Sequence, residues 1–304
     1  MDLSVIIVNW NTRDLLAQCL DSVFANPPAG EFEVIVVDND STDGSVMMVR
    51  NRFPTAVLIE NHHNPGFAAA NNQAIGRACG RYILLLNPDT VVMPDASDAL
   101  VRFMEGTPAA AITGSMLLNP DGTLQRSCHP YPTIGREFWR LLHLDYLIPL
   151  GIYPMDRWPI DMPREVDTVQ GASLMVRREV IEQVGLLDET FFMYSEEVDW
   201  CARISGAGWK IFWVPDARIV HFGGQSTRQI PAEMFLQLYR AKSMYFRKHY
   251  GSFYVYVYKV VLFIAAVLRI LFVPVIWLLM PDKRDEHARM MANYGRLVIS
   301  LPKQ

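Results

Sequence analysis

Three carboxylates stand close together in the segment FFMYSEEVDWCAR, which covers residues 191–203. Glu196, Glu197 and Asp199 lie within four positions of one another, in a run that is otherwise largely aromatic and apolar. Burying a charge without a partner is costly, so a cluster of acids in such a setting indicates a functional reason. An apolar setting raises the pKa of a carboxylate, which suits it to take a proton from a hydroxyl group.

Two further acidic segments each follow an apolar run. Asp38 and Asp40 come directly after FEVIVV, and Asp89 follows RYILLL in the segment NPDT. Ligands of parallel sheets bind outside the carboxyl ends of the strands, so we expect these acids at one edge of a sheet. Carboxylates there would suit a divalent metal, Mg²⁺ or Mn²⁺, beside a diphosphate.

Short apolar runs alternate with helical patterns in the first part of the chain. The runs cover 3–8, 32–37, 56–60 and 81–86, and the helical patterns cover about 12–25, 42–53 and 67–79. This alternation predicts an α/β fold with a mostly parallel central sheet flanked by helices. Neither GxGxxG nor GxxxxGK[ST] is present, which disfavours a dinucleotide site and a P-loop.

The second half of the chain is less regular. Residues 126–164 are rich in proline and aromatic residues and predict loops and short helices. Strands are expected within 166–178, 209–214 and 217–222, and a helix is expected over 231–250.

The chain becomes strongly apolar from residue 253 to residue 280, where only Lys259 and Arg269 interrupt the run. A spanning helix needs about 20 apolar residues, but a central arginine costs roughly 2.5–3.5 kcal/mol on insertion scales. We therefore predict a C-terminal membrane-associated helical region, re-entrant or interfacial, with a buried core helix and a full span as alternatives. The predicted division is a domain at 1–250 and a helical region at 251–304.

Composition excludes several classes of function. The net charge of −4 argues against a general nucleic-acid binder. The four cysteines are scattered and form no CxxC pair, so a zinc or redox site has little support; they are Cys19, Cys79, Cys128 and Cys201. The chain opens with a short strand-like run and shows no signal peptide, so we expect the N-terminal domain in the cytoplasm.

Seven segments in this order resemble family-2 glycosyltransferases of the GT-A fold, most closely bacterial rhamnosyltransferase-like members. The resemblance covers about residues 3–250. It rests on VIIVNWN (5–11), VVDNDSTDGS (36–45), NPGFAAANN (64–72), LLLNPDT (84–90), GASLMVRR (171–178), FFMYSEEVDWCAR (191–203) and VHFGGQS (220–226).

The resemblance implies a pocket for a nucleotide-diphosphate sugar. Asp38 matches an aspartate that contacts the base, while Asp89 and His221 match positions at the metal or the diphosphate. Asn87 stands where the family usually has the first acid of a DxD motif. The donor-binding residues implied are Asn9, Asn11, Asp38, Asn64, Gly66, Asn72, Asn87 and Arg228. The alternatives are helix capping for Asp38, plain turns for the Asn64–Asn72 and NPDT segments, and a solvated charge for Arg228.

The family also carries an acidic pair whose second member is the catalytic base. That position is Glu197, with Glu196 as the alternative base. Asp199 matches a further acid of the catalytic segment, and its spacing favours a pair with Arg203 at i+4.

The resemblance therefore implies an inverting glycosyltransferase at the cytoplasmic face of the inner membrane. It would move a sugar, with rhamnose favoured, to a lipid-linked or glycan acceptor in cell-surface polysaccharide synthesis. Two other classes stay open. A nucleotidyltransferase usually has a glycine-rich basic loop after the first strand, where this chain has NWNTRD. A non-catalytic membrane adaptor could keep the fold and show departures such as Asn87 and Glu197.

Overall fold

The computed structural model describes residues 1–279 and 284–301 and divides the chain into two compact units. Unit 1 contains Met1–Tyr131 and Pro154–Gln229, and unit 2 contains Pro132–Tyr153 and Ile230–Gln304. The predicted boundary at residue 250 differs from this division, because the helix that ends at Tyr250 and the segment 132–153 pack within unit 2. The end of the predicted apolar segment, residue 280, lies outside the described residues.

Eleven strands and ten α-helices are described, and their order follows the alternation predicted for the first part of the chain. In chain order they are β1 Leu3–Asn9, α1 Arg13–Ala25, β2 Phe32–Asn39, α2 Ser45–Arg52, β3 Val57–Asn61, α3 Phe67–Ile75, β4 Tyr82–Leu86, β5 Thr90–Val92, α4 Ala96–Gly106, β6 Ala110–Leu118, β7 Cys128–His129, α5 Ile134–Leu141, β8 Arg164–Glu165, β9 Thr168–Val169, β10 Ser173–Arg177, α6 Arg178–Val184, α7 Glu196–Gly206, β11 Lys210–His221, α8 Pro231–Tyr250, α9 Ser252–Leu279 and α10 Arg284–Ser300.

The central sheet of unit 1 has the strand order β3-β2-β1-β4-β10-β6-β11-β5, with β8 added to β11. The α/β fold is as predicted, and the sheet is mixed. β1 to β4 run parallel, as do β6 and β11, whereas β10 runs antiparallel to both β4 and β6. The two strands predicted at 209–214 and 217–222 form one bulged strand, β11, with a register shift between Val214 and Arg218.

These directions gather several strand ends at one edge of the sheet. β1 and β2 end side by side, with Asn9 opposite Asp38. β10 begins where β4 ends, with Ser173 opposite Leu86, and β11 ends at His221 opposite Thr90. This edge, which we name the site edge, therefore carries the residues that follow β1, β2, β4 and β11 and those that precede β10.

The core of unit 1 forms because both faces of the sheet are covered. All residues of β4 are buried, which agrees with its continuous apolar sequence. Helix α1 presents Leu16, Cys19, Leu20 and Val23 to the sheet, a spacing that keeps one face apolar. Cys19 is fully buried, and burial raises the pKa of its thiol to about 12, so it packs as an apolar residue.

Unit 2 packs α5, α8, α9 and α10 around a core of its own, which includes Phe246, Tyr258 and Leu297. A buried ion pair joins α8 to α5, since Lys242 Nζ lies 2.9 and 2.8 Å from the two carboxylate oxygens of Glu137. Within the described residues, the stretch Ser252–Phe272 is long and apolar enough to cross a membrane by length and composition, with a mean hydropathy of 2.2.

Candidate active site

The ends of β1 and β2 hold a fixed carboxylate. Asp38 is buried, and its two oxygens accept hydrogen bonds from Asn9 Nδ2 and from the Ser41 backbone N–H, both at 2.8 Å. Asn9 is held in turn by Thr12, whose hydroxyl donates to Asn9 Oδ1 at 2.7 Å. Helix α2 begins three residues beyond Thr42 with Gly44 at its cap position, so the Asp38 carboxylate orients a turn rather than capping this helix.

Asn11 links this strand end to the loop that follows β11. Its backbone has a φ of 51°, in the left-handed region, and its carbonyl accepts a hydrogen bond from Gln229 Nε2 at 2.9 Å. An open cavity of about 420 Å³ lies here. It is lined by Asn11, Thr12, Arg13, Asp14, Leu15, Asp43, Gln225 and Gln229.

Gly66 lets the backbone at the start of α3 pack closely against the acidic segment. It adopts a φ of +93°, and a side-chain Cβ there would lie 2.3 Å from the carbonyl oxygen of Phe192. The next N–H, that of Phe67, donates to the same Phe192 carbonyl at 2.8 Å. Asn64 Oδ1 accepts the Gly66 N–H at 2.9 Å and fixes the turn. Only glycine fits this turn, because the backbones approach too closely for any side chain.

Asn72 supports a neighbouring loop. Its Nδ2 donates to the carbonyl of Leu187 and to Glu189 Oε1, each at 2.9 Å, and its Oδ1 accepts the Leu187 N–H at 3.2 Å. These bonds use both N–H donors of the amide, and any part that Asn72 has in donor binding stays a prediction.

Asp89 and His221 meet at the end of β4 and β11. Both side chains are buried, and His221 Nε2 lies 3.3 Å from Asp89 Oδ1. Asn87 Nδ2 lies 3.5 Å from the same ring nitrogen, a long contact. The Gln225 backbone N–H approaches the other Asp89 oxygen at 3.3 Å, which ties the loop after β11 to this carboxylate.

This pair fits a divalent cation. His221 Nδ1 lies 2.6 Å from Gln125 Oε1, an acceptor, so Nδ1 carries a hydrogen and the neutral ring has its lone pair on Nε2. A lone pair and a carboxylate oxygen at 3.3 Å repel each other unless a proton or a cation lies between them. Among the described residues no cluster of three or more His, Cys, Asp or Glu side chains could hold a metal. A cation bound by two protein ligands would complete its shell with water and diphosphate oxygens, as Mg²⁺ commonly does.

Glu196 and Glu197 are the first two residues of α7. In each carboxyl group the Oε2 atom is buried and has no hydrogen-bond partner. Burial raises the pKa of both groups, and the neighbouring Glu197 charge raises the pKa of Glu196 further. Glu196 is therefore the more strongly shifted of the two. The chain enters α7 through two consecutive left-handed residues, Tyr194 (φ 69°) and Ser195 (φ 68°). Strain of this kind is tolerated chiefly at functional sites.

Asp199 forms an ion pair within α7. It is fully buried and accepts a hydrogen bond from Arg203 Nε at 2.9 Å, the i+4 pair that the sequence predicts. Arg203 continues to the carbonyls of Val184 and Leu186 at 3.1 and 2.7 Å. Asp199 thus holds the base of α7 against the loop after α6.

The acidic helix adjoins the rest of the site edge. A Cβ at Gly171 would contact Glu197 Cβ at 3.9 Å and the Phe67 ring at 3.5 Å, so these three residues share one space. Asn87 joins the same place through its N–H, which donates to the carbonyl of Ala172 at 3.0 Å.

The loop after β11 also reaches the acidic segment, because the Tyr194 hydroxyl pairs with Thr227. Arg228, next to it, is exposed, and its N–H donates to Gly224 O at 2.9 Å. Sequence reasoning missed Thr227 and Gln125 as site contacts. Only the turn sequence NPDGT before Gln125 and the GGQS segment hinted at ordered loops.

Comparisons with known proteins identify the family of the chain. A family model described as Glycosyl transferase family 2 matches residues 4–184. The N-acetylglucosaminyl-diphospho-decaprenol L-rhamnosyltransferase of Mycobacterium tuberculosis is 31% identical over 219 residues, which is 66% of this chain and 69% of that protein. The O-antigen biosynthesis protein RfbC of Myxococcus xanthus is 29% identical over 231 residues, 74% of this chain but only 18% of that protein.

The fold also has solved counterparts. The mannosyltransferase PcManGT from Pyrobaculum calidifontis, in complex with GDP-Man and Mn²⁺, superposes with a TM-score of 0.56 at 18% identity, over 98% of this chain and 86% of that one. These findings decide against the nucleotidyltransferase and the non-catalytic adaptor that the sequence left open. The chain belongs to glycosyltransferase family 2, and it is a rhamnosyltransferase-like glycosyltransferase with the GT-A fold.

Proposed function

We propose that this protein is an inverting transferase that moves a sugar, with rhamnose favoured, from a nucleotide-diphosphate donor to a hydroxyl of a lipid-linked glycan in cell-surface polysaccharide synthesis. The observation that carries the proposal is the buried, unpaired Oε2 atom of Glu197 at the same edge as the Asp89–His221 pair. A proton acceptor and a diphosphate-side cation site are the two parts that direct displacement at an anomeric carbon requires.

Glu197 is the proposed base. Glu196 has the more strongly raised pKa, so it keeps its proton when Glu197 has lost its own. The ionised Glu197 takes the proton of the acceptor hydroxyl as that oxygen forms a bond to the anomeric carbon. The bond from this carbon to the diphosphate oxygen breaks, its electron pair stays on the diphosphate, and the configuration inverts.

The leaving diphosphate needs compensation of its negative charge. Asp89 and His221 would hold Mg²⁺ or Mn²⁺, which neutralises this charge when bound. The amide oxygen of Asn87 is a further ligand if its side chain rotates, since the two ends of an amide are assigned only by their contacts. The exposed guanidinium of Arg228 is a candidate to clamp a phosphate.

The donor nucleotide is assigned to the ends of β1 and β2. Asp38 is held by Asn9 and Ser41 and can accept a hydrogen bond from a base imide or a ribose hydroxyl. The cavity beside Asn11 offers room for part of the nucleotide. The mycobacterial relative is named for a rhamnosyl transfer to a GlcNAc-diphospho-lipid, which supports rhamnose and a lipid-linked acceptor here.

Unit 2 is proposed to bind the cytoplasmic face of the inner membrane as an interfacial element. One side of α9 joins the core of unit 2, whereas Phe253 and Tyr256 are about 73% and 69% exposed. Leu147, in the segment after α5, is 77% exposed. Arg269 donates to the Leu141 carbonyl at 2.6 Å and approaches His143 Nε2 at 2.9 Å, so its polar bonds are made inside unit 2. A one-sided apolar surface favours binding in the interface over a span.

Replacing Glu197 tests its proposed role as the catalytic base. Glu197→Gln keeps the shape of the side chain but cannot take a proton, so we expect sugar transfer to fall by about 10²–10⁴-fold while the dissociation constant of the donor stays nearly unchanged. Transfer is measured with radiolabelled nucleotide sugar, and binding by calorimetry. Glu196→Gln is the matched control and should retain more activity. If Glu197→Gln transfers sugar at the normal rate, Glu197 is not the base.

Stability should depend on pH through Glu196. Its pKa is raised on folding, so above its ordinary value of 4.5 the folded protein binds more protons than the unfolded chain, and stability falls as pH rises through the folded pKa. We expect Glu196→Gln to increase the free energy of unfolding at pH 8 and to change it little at pH 4. Denaturant titrations at both pH values measure this, with the exposed Glu182→Gln as control. An equal effect at both pH values would contradict the buried-acid assignment.

Asp89 should govern metal-dependent donor binding. Asp89→Asn keeps the size of the side chain and removes the charge, so we expect weaker binding of a nucleoside diphosphate and loss of the gain that Mn²⁺ provides. Calorimetry with and without Mn²⁺ measures both, and the exposed Asp161→Asn serves as the control. Unchanged affinity with an unchanged Mn²⁺ effect would remove Asp89 from the site.

The exposed apolar side chains of unit 2 should hold the protein on lipid. We expect the combined variant Leu147→Ser, Phe253→Ser and Tyr256→Ser to float poorly with vesicles that contain an anionic phospholipid, because each change removes apolar contact area. The control is Met47→Ser with Val57→Ser, two exposed apolar positions of unit 1. Carbonate washing tests the binding mode, since it releases an interfacial protein and leaves a spanning one. Undiminished flotation of the triple variant would refute this surface.

A further inference from the structure

The side-chain amide of Gln125 contacts His221 at two points. Its Oε1 lies 2.6 Å from the ring Nδ1, and its Nε2 lies 3.2 Å from the main-chain carbonyl of the same histidine. Gln125 follows the turn Asn119–Thr123, and its own N–H donates to the carbonyl of Leu117 at 2.8 Å, so its backbone is tied to the end of β6.

The contacts of Gln125 determine which end of its amide faces the ring. The carbonyl oxygen of His221 can only accept, so the amide atom opposite it must be the nitrogen. The same nitrogen donates to Asn119 Oδ1 at 2.9 Å. Asn119 is fixed in turn, because its Nδ2 donates to Thr123 Oγ1 at 2.9 Å while that hydroxyl donates to Asp121. The oxygen of Gln125 therefore faces Nδ1, and Nδ1 must carry a hydrogen.

We propose that Gln125 is a positioning residue that sets the tautomer and the ring orientation of His221, so that the Nε2 lone pair faces Asp89 Oδ1. The inference rests on the proposed cation site. It adds a residue that touches neither the cation nor the sugar donor and acts only through the histidine.

The physical reason is the direction of the ring. A neutral imidazole has one donor and one acceptor nitrogen, and the opposite tautomer would point its Nε2–H at the place where the cation must bind. It would also set the Nδ1 lone pair against the Gln125 oxygen at 2.6 Å, which is repulsive. Histidines that bind metals commonly donate their other N–H to an oxygen for this reason, and loss of that partner weakens metal affinity by about 10–100-fold.

The test compares two substitutions at this position. Gln125→Met removes the acceptor with little change in size, and we expect the dissociation constant for Mn²⁺, measured by electron paramagnetic resonance with UDP present, to rise about 10–100-fold. Gln125→Glu keeps an acceptor oxygen toward Nδ1 but sets its second oxygen against the His221 carbonyl, so we expect a smaller loss of affinity than in Gln125→Met. Gln183→Met, which changes a glutamine bonded to Trp209, is the matched control. If Gln125→Met binds Mn²⁺ like the wild type, the proposal is overturned.

A second measurement reports on the ring without any metal. Long-range ¹H–¹⁵N spectra of histidine-labelled protein identify the tautomer, and the His221 signals are assigned by their loss in His221→Asn. We expect the Nδ1–H form in the wild type and in Gln125→Glu, and a mixed form in Gln125→Met. The same tautomer in all three proteins would refute the inference even if every variant folds.

The two measurements separate this inference from the proposed function. If the wild-type protein binds no Mn²⁺ but the tautomer changes in Gln125→Met, the cation site is wrong, while the action of Gln125 on His221 is supported. If Mn²⁺ binds and neither affinity nor tautomer responds to Gln125→Met, the cation site stands and the positioning role is lost.

Discussion

Backbone hydrogen bonding between β4 and β10 joins two distant parts of the chain, with Leu86 opposite Ser173. Because the two strands run antiparallel, the residues that leave β4 and those that enter β10 arrive at the same edge. Asn87 bonds there to Ala172, and Gly171 leaves space that Glu197 and Phe67 share. This one ladder therefore brings the segment of Asn87 and Asp89 close to the acidic helix. A Cβ at Gly171 would lie in van der Waals contact with Phe67 and Glu197, so a large side chain there would fill this space.

The acidic helix is stabilised by its surroundings rather than by its own residues. Glu196 and Glu197 each have one buried, unpaired carboxyl oxygen, and the preceding two residues have strained backbones. Such features lower stability, so other contacts must hold them. Gly66 and Phe67 pack against Phe192 on one side, and the Asp199–Arg203 pair anchors α7 to the loop after α6 on the other. Desolvation at the start of α7 raises the pKa values of both acids.

In unit 2, charged side chains next to apolar segments have partners within the unit. Arg269 bonds to the carbonyl that ends α5 and lies over the ring of Tyr294 at 4.8 Å. The buried Lys242 is likewise paired with Glu137. With these charges satisfied inside the unit, the outer face of α9 is left with aromatic and aliphatic side chains. This division of one helix into a packed face and an exposed apolar face is typical of elements that lie on a membrane surface.

The amino-acid sequence by itself determined the features that depend on near neighbours. The apolar runs, the NPGF turn, the acids after β2 and β4, and the i+4 pair of Asp199 with Arg203 follow from local periodicity and spacing. The tertiary structure alone decided what depends on distant partners. The reversed direction of β10, the packing of α5 with α9, the contact of Tyr194 with Thr227 and the hydrogen bonds of Gln125 with His221 each join segments far apart in the chain. No local pattern encodes such pairings, because they arise only when the sheet is assembled and its strand ends meet.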